Sequence, residues 1–240
     1  MSDDMFSASL KGSIKKELVF DSDRTNEEMS QQLHKRLDEL LKAERLLKHM
    51  LPGVLMTLIE TINAKSPYTA GHCERVADLS IQLGKRAGLD KKAMRELYYA
   101  ALLHDIGKIA IPDSVLNKAS ELTPEEYAMI RNHPEKGADI LHLLYGMPNI
   151  TLGALEHHER YDGNGYPKGL KGEEISLIGR IICIADCYDA MTSKRTYSGI
   201  FPQAKAREEI EKCSGTQFDP VIAKHLLDII DEDTEYLLHG

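Results

Sequence analysis

Residues 100–112 read A-A-L-L-H-D-I-G-K-I-A-I-P, an apolar helical run that ends in His104 and Asp105 and passes on to Gly107 and Lys108. An imidazole and a carboxylate stand side by side where an apolar segment meets a glycine. A helix end fixes both side chains, and that pair of donor types suits a divalent cation. The same dipeptide also occurs on solvated helix ends, so its company decides the matter. His72 stands upstream after a glycine, and His133, the neighbours His157 and His158, and Asp186 follow downstream. These residues are expected to converge on one metal centre, with the rest of the chain positioning it.

The bulk numbers set limits. The chain has 240 residues, enough for one large domain or two small ones, and is 42% hydrophobic and 28% charged. That is the composition of a globular protein able to bury a full core. A formal net charge of -8 argues against a broad surface for polymeric nucleic acid. A small anion is still a fitting ligand where metals and a few basic residues make a local positive site. No apolar run is long enough to span a membrane, so no membrane association is expected. The start, M-S-D-D-M-F-S, is too acidic and polar for a signal peptide. Cys73, Cys183, Cys187 and Cys213 form no C-x-x-C pair and no disulfide framework. They fit reduced thiols in a cytoplasmic protein.

Outward from the opening stretch, the pattern is helical throughout. Residues 1–25 are polar without a sustained period and are expected to form a flexible leader. Residues 26–51 carry Leu33, Leu37, Leu40, Leu47 and Leu51 as a heptad-like stripe, with Glu44 at one seam position. That pattern suits an amphipathic helix packed on its own domain, and equally a short coiled coil that pairs two copies in a homodimer. Pro52 and Gly53 are expected to interrupt the chain before the main domain, residues 52–240. Asp90 is an expected N-cap for the helix that ends at His104. Residues 123–126, T-P-E-E, form a helix start with a cap, a proline and two acids. Pro134 breaks or kinks the segment beside His133. Residues 109–116 are expected to be irregular. Residues 162–167, D-G-N-G-Y-P, suit only a tight loop. Further helices are expected over 150–159 and 176–191, then from Pro202 and from Asp219-Pro220 onward. The sum is an all-α chain of roughly nine to eleven helices of ordinary length.

Five of the ten histidines, His72, His104, His133, His157 and His158, lie beside glycine, proline or acid. The others, His34, His49, His142, His225 and His239, have no such setting and are expected to be surface or packing residues. The first five, with Asp105 and Asp186, offer more donors than a single tetrahedral zinc needs. They suit two metals with a shared carboxylate and bound water. Imidazole and carboxylate without thiolate fits iron or manganese, with nickel, cobalt or zinc as alternatives. Adjacent helical residues point ~100° apart, so His157 and His158 can both be ligands only if the backbone bends there. A metal pair holding a bridging hydroxide neutralises a phosphoryl group during in-line displacement. Lys108, a turn beyond His104, could offset charge on the phosphate, and Arg195 could bind phosphate in bidentate fashion. The alternatives are a solvated lysine and an Arg195 ion pair with Asp189.

Five blocks occur in order: G-H-C-E-R-V (71–76), L-L-H-D-I-G-K-I-A-I-P (102–112), N-H-P-E-K-G (132–137), H-H-E-R-Y-D-G-N-G-Y-P (157–167) and I-A-D-C-Y-D-A-M-T-S-K-R-T-Y (184–197). With them the chain resembles the HD-GYP subgroup of the HD-superfamily metal-dependent phosphohydrolases, bacterial signalling enzymes. The resemblance runs from about Pro52 to the C-terminus. It implies an all-helical HD-domain bundle with a two- or three-metal centre, usually iron or manganese. It also implies hydrolysis of cyclic di-GMP to the linear dinucleotide pGpG, and often onward to GMP. Carried over by position, the ligands would be His72, His104, Asp105, His133, His157, His158 and Asp186, with Asp105 bridging. Lys108 would assist catalysis, and Lys108, Arg195 and Asp189 would contact the substrate, Arg195 at its phosphate. Gly165, Tyr166 and Pro167 form the signature loop. Three-metal members carry a glutamate four residues before the first histidine. Here that residue is Tyr68, so two metals are expected. No receiver or sensor domain is visible, so control falls to the N-terminal segment or a separate signalling partner. The alternatives are a weakly catalytic module that binds the dinucleotide, and a phosphohydrolase for another nucleotide, including a different cyclic dinucleotide.

Overall fold

Capping side chains start four of the helices among the described residues. The computed structural model describes residues 3–65, 71–144, 146–193 and 201–233, without the side chains of 3–24, 47–49, 51 and 63. Ten α-helices are found among the described residues, and strand pairing is limited to a lone bridge between Ser214 and Phe218. They are α1 (Asp3–Lys65), α2 (His72–Arg86), α3 (Lys91–Leu103), α4 (Asp113–Leu116), α5 (Pro124–Arg131), α6 (His133–Leu141), α7 (Pro148–Glu156), α8 (Leu177–Thr192), α9 (Gln203–Cys213) and α10 (Pro220–Glu232). The Asp90 carboxylate accepts the Ala93 N–H at 2.8 Å and starts α3. Thr123 and Glu126 form the reciprocal box that starts α5. Ser176 and Asp219 cap α8 and α10. Each cap satisfies backbone donors that the first helical turn leaves unpaired.

Three expectations change. Helix α1 begins at Asp3, so the stretch expected as a flexible leader is helical, and α1 also runs through Pro52 without a break. Beyond Pro52, the buried Leu55, Ile59 and Ile62 hold one face of the helix, which offsets the hydrogen bond that proline cannot make. Helix propagation upstream then costs only one residue's ordering per bond gained. Residues 109–116 are not irregular either. A 3-10 turn spans Ile106–Ala110, and the short α4 follows.

The chain divides into two units, Met1–Val54 and Leu55–Gly240. Within the first, Leu33, Leu37 and Leu40 of α1 are exposed. Within the second, α8 is the central element. Ile178, Ile181, Ile182, Ile184, Ala185 and Tyr188 are buried along it, and it packs on α2, α7 and α9. Helix α3 lies against both α2 and α7. Small residues let these helices approach closely. A Cβ added at Gly153 would stand 2.7 Å from Cβ of Ala100, and one at Gly84 would stand 2.6 Å from Leu97 Cδ2. The tight crossings bring the end of α3, the start of α2 and the end of α7 to one place.

Candidate metal centre

Four of the donor-bearing segments are helix termini. His72 is the first residue of α2, behind Gly71 in the left-handed region (φ 73°). His104 caps the end of α3, and Asp105 precedes the 3-10 turn. His133 opens α6 after the break at Asn132. His157 caps the end of α7, and the chain turns there, so His157 and His158 aim together with ring centroids 4.2 Å apart. Asp186 is the exception, projecting from the body of α8. Gly107 lets two of these segments meet. A Cβ there would stand 1.9 Å from the His133 carbonyl oxygen, so only glycine admits the contact.

The structure brings all seven expected ligands together, in two groups with Asp105 between them. One group is His72, His104 and Asp186; the other is His133, His157 and His158, and donor atoms within each lie within 4.8 Å of one another. Asp105 Oδ2 lies 3.4 Å from His104 Nε2 and 4.0 Å from His72 Nε2. Its Oδ1 lies 3.2 Å from His133 Nε2 and 3.9 Å from His157 Nε2. One carboxylate thus turns an oxygen to each group.

The imidazoles are oriented from behind. Nδ1 of His104 meets the Ala101 carbonyl at 2.6 Å, that of His133 meets Ile130 at 2.6 Å, and that of His157 meets Ala154 at 2.9 Å. A carbonyl only accepts, so each Nδ1 carries the proton and each Nε2 presents a lone pair inward. His72 is held likewise, with Nδ1 2.7 Å from Asp189 Oδ2. As a result Nε2 of His133 and Nε2 of His157 face each other at 3.2 Å with both lone pairs inward. Two such acceptors at that distance repel unless a cation stands beside them. The donor chemistry therefore fits divalent metals of the iron and manganese kind, with no thiolate to favour softer ions.

Burial and charge tune the same groups. Asp105 is buried, which alone would raise its pKa, but Lys108 and His104 outweigh burial and hold it well below the usual carboxylate range. Asp186 is likewise lowered against its burial, mainly by His72. Burial pushes His157 well below its ordinary value and His158 down to about 4. His104 goes the other way: burial lowers it, but Asp105 more than compensates. Lys108 Nζ sits 2.5 Å from Asp105 Oδ2.

One expected substrate contact is corrected. Asp189 is buried behind His72, and its carboxylate accepts from His72 Nδ1, from Arg75 Nε at 2.5 Å and from Ser193 Oγ at 3.0 Å. It orients the His72 ring rather than facing open space. Arg75 was not singled out, although its i+3 spacing from His72 puts both on one face of α2. Arg195 and Tyr68, with the metal count inferred from Tyr68, lie outside the described residues. Of the histidines set aside, His34 and His142 are exposed and bond carbonyls of their own helices.

The loop over 162–167 forms a wall of the site. Tyr166 stacks on the His158 ring with centroids 4.7 Å apart, and its N–H donates to the His158 carbonyl at 3.1 Å. A Cβ on Gly165 would come within 2.3 Å of the Arg160 backbone nitrogen, so glycine is required where the loop folds back. Glu159, also missed, is buried and accepts the N–H groups of Lys168 at 2.7 Å and Leu170 at 3.0 Å. Its position directly after the two histidines was the available signal. The Tyr166–Pro167 peptide is cis.

The all-helical fold and the clustered His and Asp donors are those of the HD-domain class. A family model described as HD domain matches residues 56–222, and the chain belongs to that family, in its HD-GYP branch. A cyclic di-GMP phosphodiesterase of Thermotoga maritima is 41% identical over 188 residues, covering 75% of this chain and 51% of its own length. A 3'3'-cGAMP-specific phosphodiesterase of Vibrio cholerae is 36% identical over 191 residues, covering 78% of this chain and 36% of its own. The crystal structure of a cyclic GMP-AMP specific phosphodiesterase from V. cholerae shares the fold. Its TM-score is 0.57 at 24% identity, over 78% of this chain and 49% of that one. The chain thus spans about half the length, or less, of the curated relatives it matches. No helix among the described residues is long and apolar enough to cross a membrane.

Proposed function

We propose that the chain is a cyclic-dinucleotide phosphodiesterase that hydrolyses cyclic di-GMP to pGpG, GMP or both, using two metal ions held by His72, His104, Asp105, His133, His157, His158 and Asp186. The observation that carries this is the pair of donor groups on either side of Asp105, with their Nε2 atoms aimed inward by partners behind them. Iron or manganese is the metal expected. When bound, such ions supply the positive charge that offsets a phosphodiester and the lowered water pKa that hydrolysis at neutral pH needs. Asp105 holds the two halves of the centre in register, and Asp189 with Arg75 fixes the His72 ring. Lys108 neutralises Asp105 and is placed to meet a phosphate oxygen. Arg195 is the second phosphate ligand proposed. Gly165, Tyr166 and Pro167 shape the side of the cleft next to His158.

The test is to incubate protein purified without oxygen, loaded with iron or manganese, with cyclic di-GMP and to separate the products. Appearance of pGpG or GMP is expected; none with either metal would overturn the assignment. The 3'3'-cGAMP-specific relatives in Vibrio cholerae favour a second substrate, 3'3'-cGAMP, so both dinucleotides belong in the panel. Tight binding with negligible turnover would instead favour a binding module. We place the protein in the cytoplasm, working as a homodimer through α1 or under a separate sensor partner.

A further inference from the structure

The arginines around the centre divide sharply. Arg75 is committed to Asp189, Arg160 to Asp162 and Arg180 to Asp219. Arg131 is different. Among the described residues it has no carboxylate within ion-pairing distance, and it is exposed at the end of α5. Its guanidinium carbon lies 4.5 Å from the centroid of the Tyr166 ring. That ring is also stacked on His158, with centroids 4.7 Å apart. Arg131 thus reaches the donor cluster through two stacked rings and two residues of chain, and among the described residues no carboxylate pairs with its planar fork. Arg131 lines a cavity of about 290 Å³ together with Tyr127, His157, His158, Asn164 and the Asp162-paired Arg160.

A cyclic dinucleotide carries two phosphates, and the metal centre needs only the one being cleaved. The other must be desolvated or paired on the same face of a chain whose net charge is -8. Stacking on Tyr166 fixes the guanidinium plane while its N–H edge stays available, which suits bidentate binding of a phosphate. We propose that Arg131 is a substrate-binding residue that takes the second, uncleaved phosphate of the dinucleotide, across the cavity from the metals. Lys108 and Arg195 are the cations assigned to the reacting phosphate; Arg131 makes the site selective for a substrate with two.

The inference rests on the phosphodiesterase assignment, and the test separates the two. Steady-state kinetics of the metal-loaded protein would be compared on cyclic di-GMP and on bis(4-nitrophenyl) phosphate, which has a single phosphate. Arg131→Ala is expected to raise KM for the dinucleotide about tenfold, as for loss of a charged hydrogen bond, and KM for the aryl diester far less, with metal content retained. Arg131→Lys, which keeps charge without the fork, should recover part of the loss. If Arg131 only clamps Tyr166 and the loop, both substrates and the metal content will change together, and the inference falls. Equal dinucleotide KM in wild type and Arg131→Ala also overturns it while leaving the phosphodiesterase assignment intact. A wild-type protein that neither binds nor cleaves the dinucleotide defeats both.

Discussion

Helix α1 and the donor cluster break the ordinary rule of burial in opposite directions. On α1, Met29, Leu33, Leu37 and Leu40 are 54–71% exposed. In the centre, His104, Asp105, His133 and His157 are 1–2% exposed. Apolar groups left in water and polar groups taken out of it both cost free energy. Each therefore marks a place where something beyond the fold of one chain sets the residue. For the buried donors that would be the metals proposed above. For the exposed leucines the homodimer proposed above would supply a second surface, which their heptad spacing suits.

The largest effect should come from the buried side of this contrast. Asp105→Ala removes the carboxylate shared by both donor groups. It is expected to lower metal content and cut turnover by more than about a hundredfold, beyond the loss typical of an outer partner. Turnover near that of the wild type would mean the two groups act independently. Asp189→Asn should weaken metal binding by about 10- to 100-fold, read by chelator competition, because it loosens the His72 ring. Unchanged metal binding with a raised KM would instead return Asp189 to the substrate face.

A change of pH sharpens the comparison without altering a residue. In metal-free protein, His158 titrates at about 4 rather than 6.5, so the unfolded chain binds the proton first as pH falls. Stability is then lost progressively from 6.5 downward, and His157, also lowered, acts in the same direction. His104 is raised, so its contribution is lost as pH climbs above 6.5 through its folded value. A melting-temperature maximum near neutrality is expected for metal-free protein, flattened when metal is restored. The smallest effect lies on α1. The double variant Leu37→Glu, Leu40→Lys should abolish any self-association seen by sedimentation, while turnover changes less than about twofold. A dimer that survives it is built on another surface.

Much of the centre was legible because its donors are chemically distinctive and sit at helix ends that sequence marks well. Asp90, Thr123, Ser176 and Asp219 cap the helices they were expected to start. The roles of Asp189 and Arg75 were not legible, because a carboxylate near a cluster looks the same whether it faces substrate or a ligand's back. His72 and Asp189 are separated by 117 positions in the chain, and only the packing of α2 on α8 joins them. Helix α1 was misjudged at Pro52 because a local rule against proline was outweighed by burial of Leu55, Ile59 and Ile62.

The amino-acid order alone determined the helical class, the caps, and which side chains carry donor atoms, since these depend on residue type and near neighbours. Tertiary structure alone decided that the donors form two groups around Asp105, that their Nε2 atoms point inward, and that Arg131 rests on Tyr166. Those facts depend on where helix ends distant in the chain meet, and on glycines such as Gly107 whose missing side chain allows the contact.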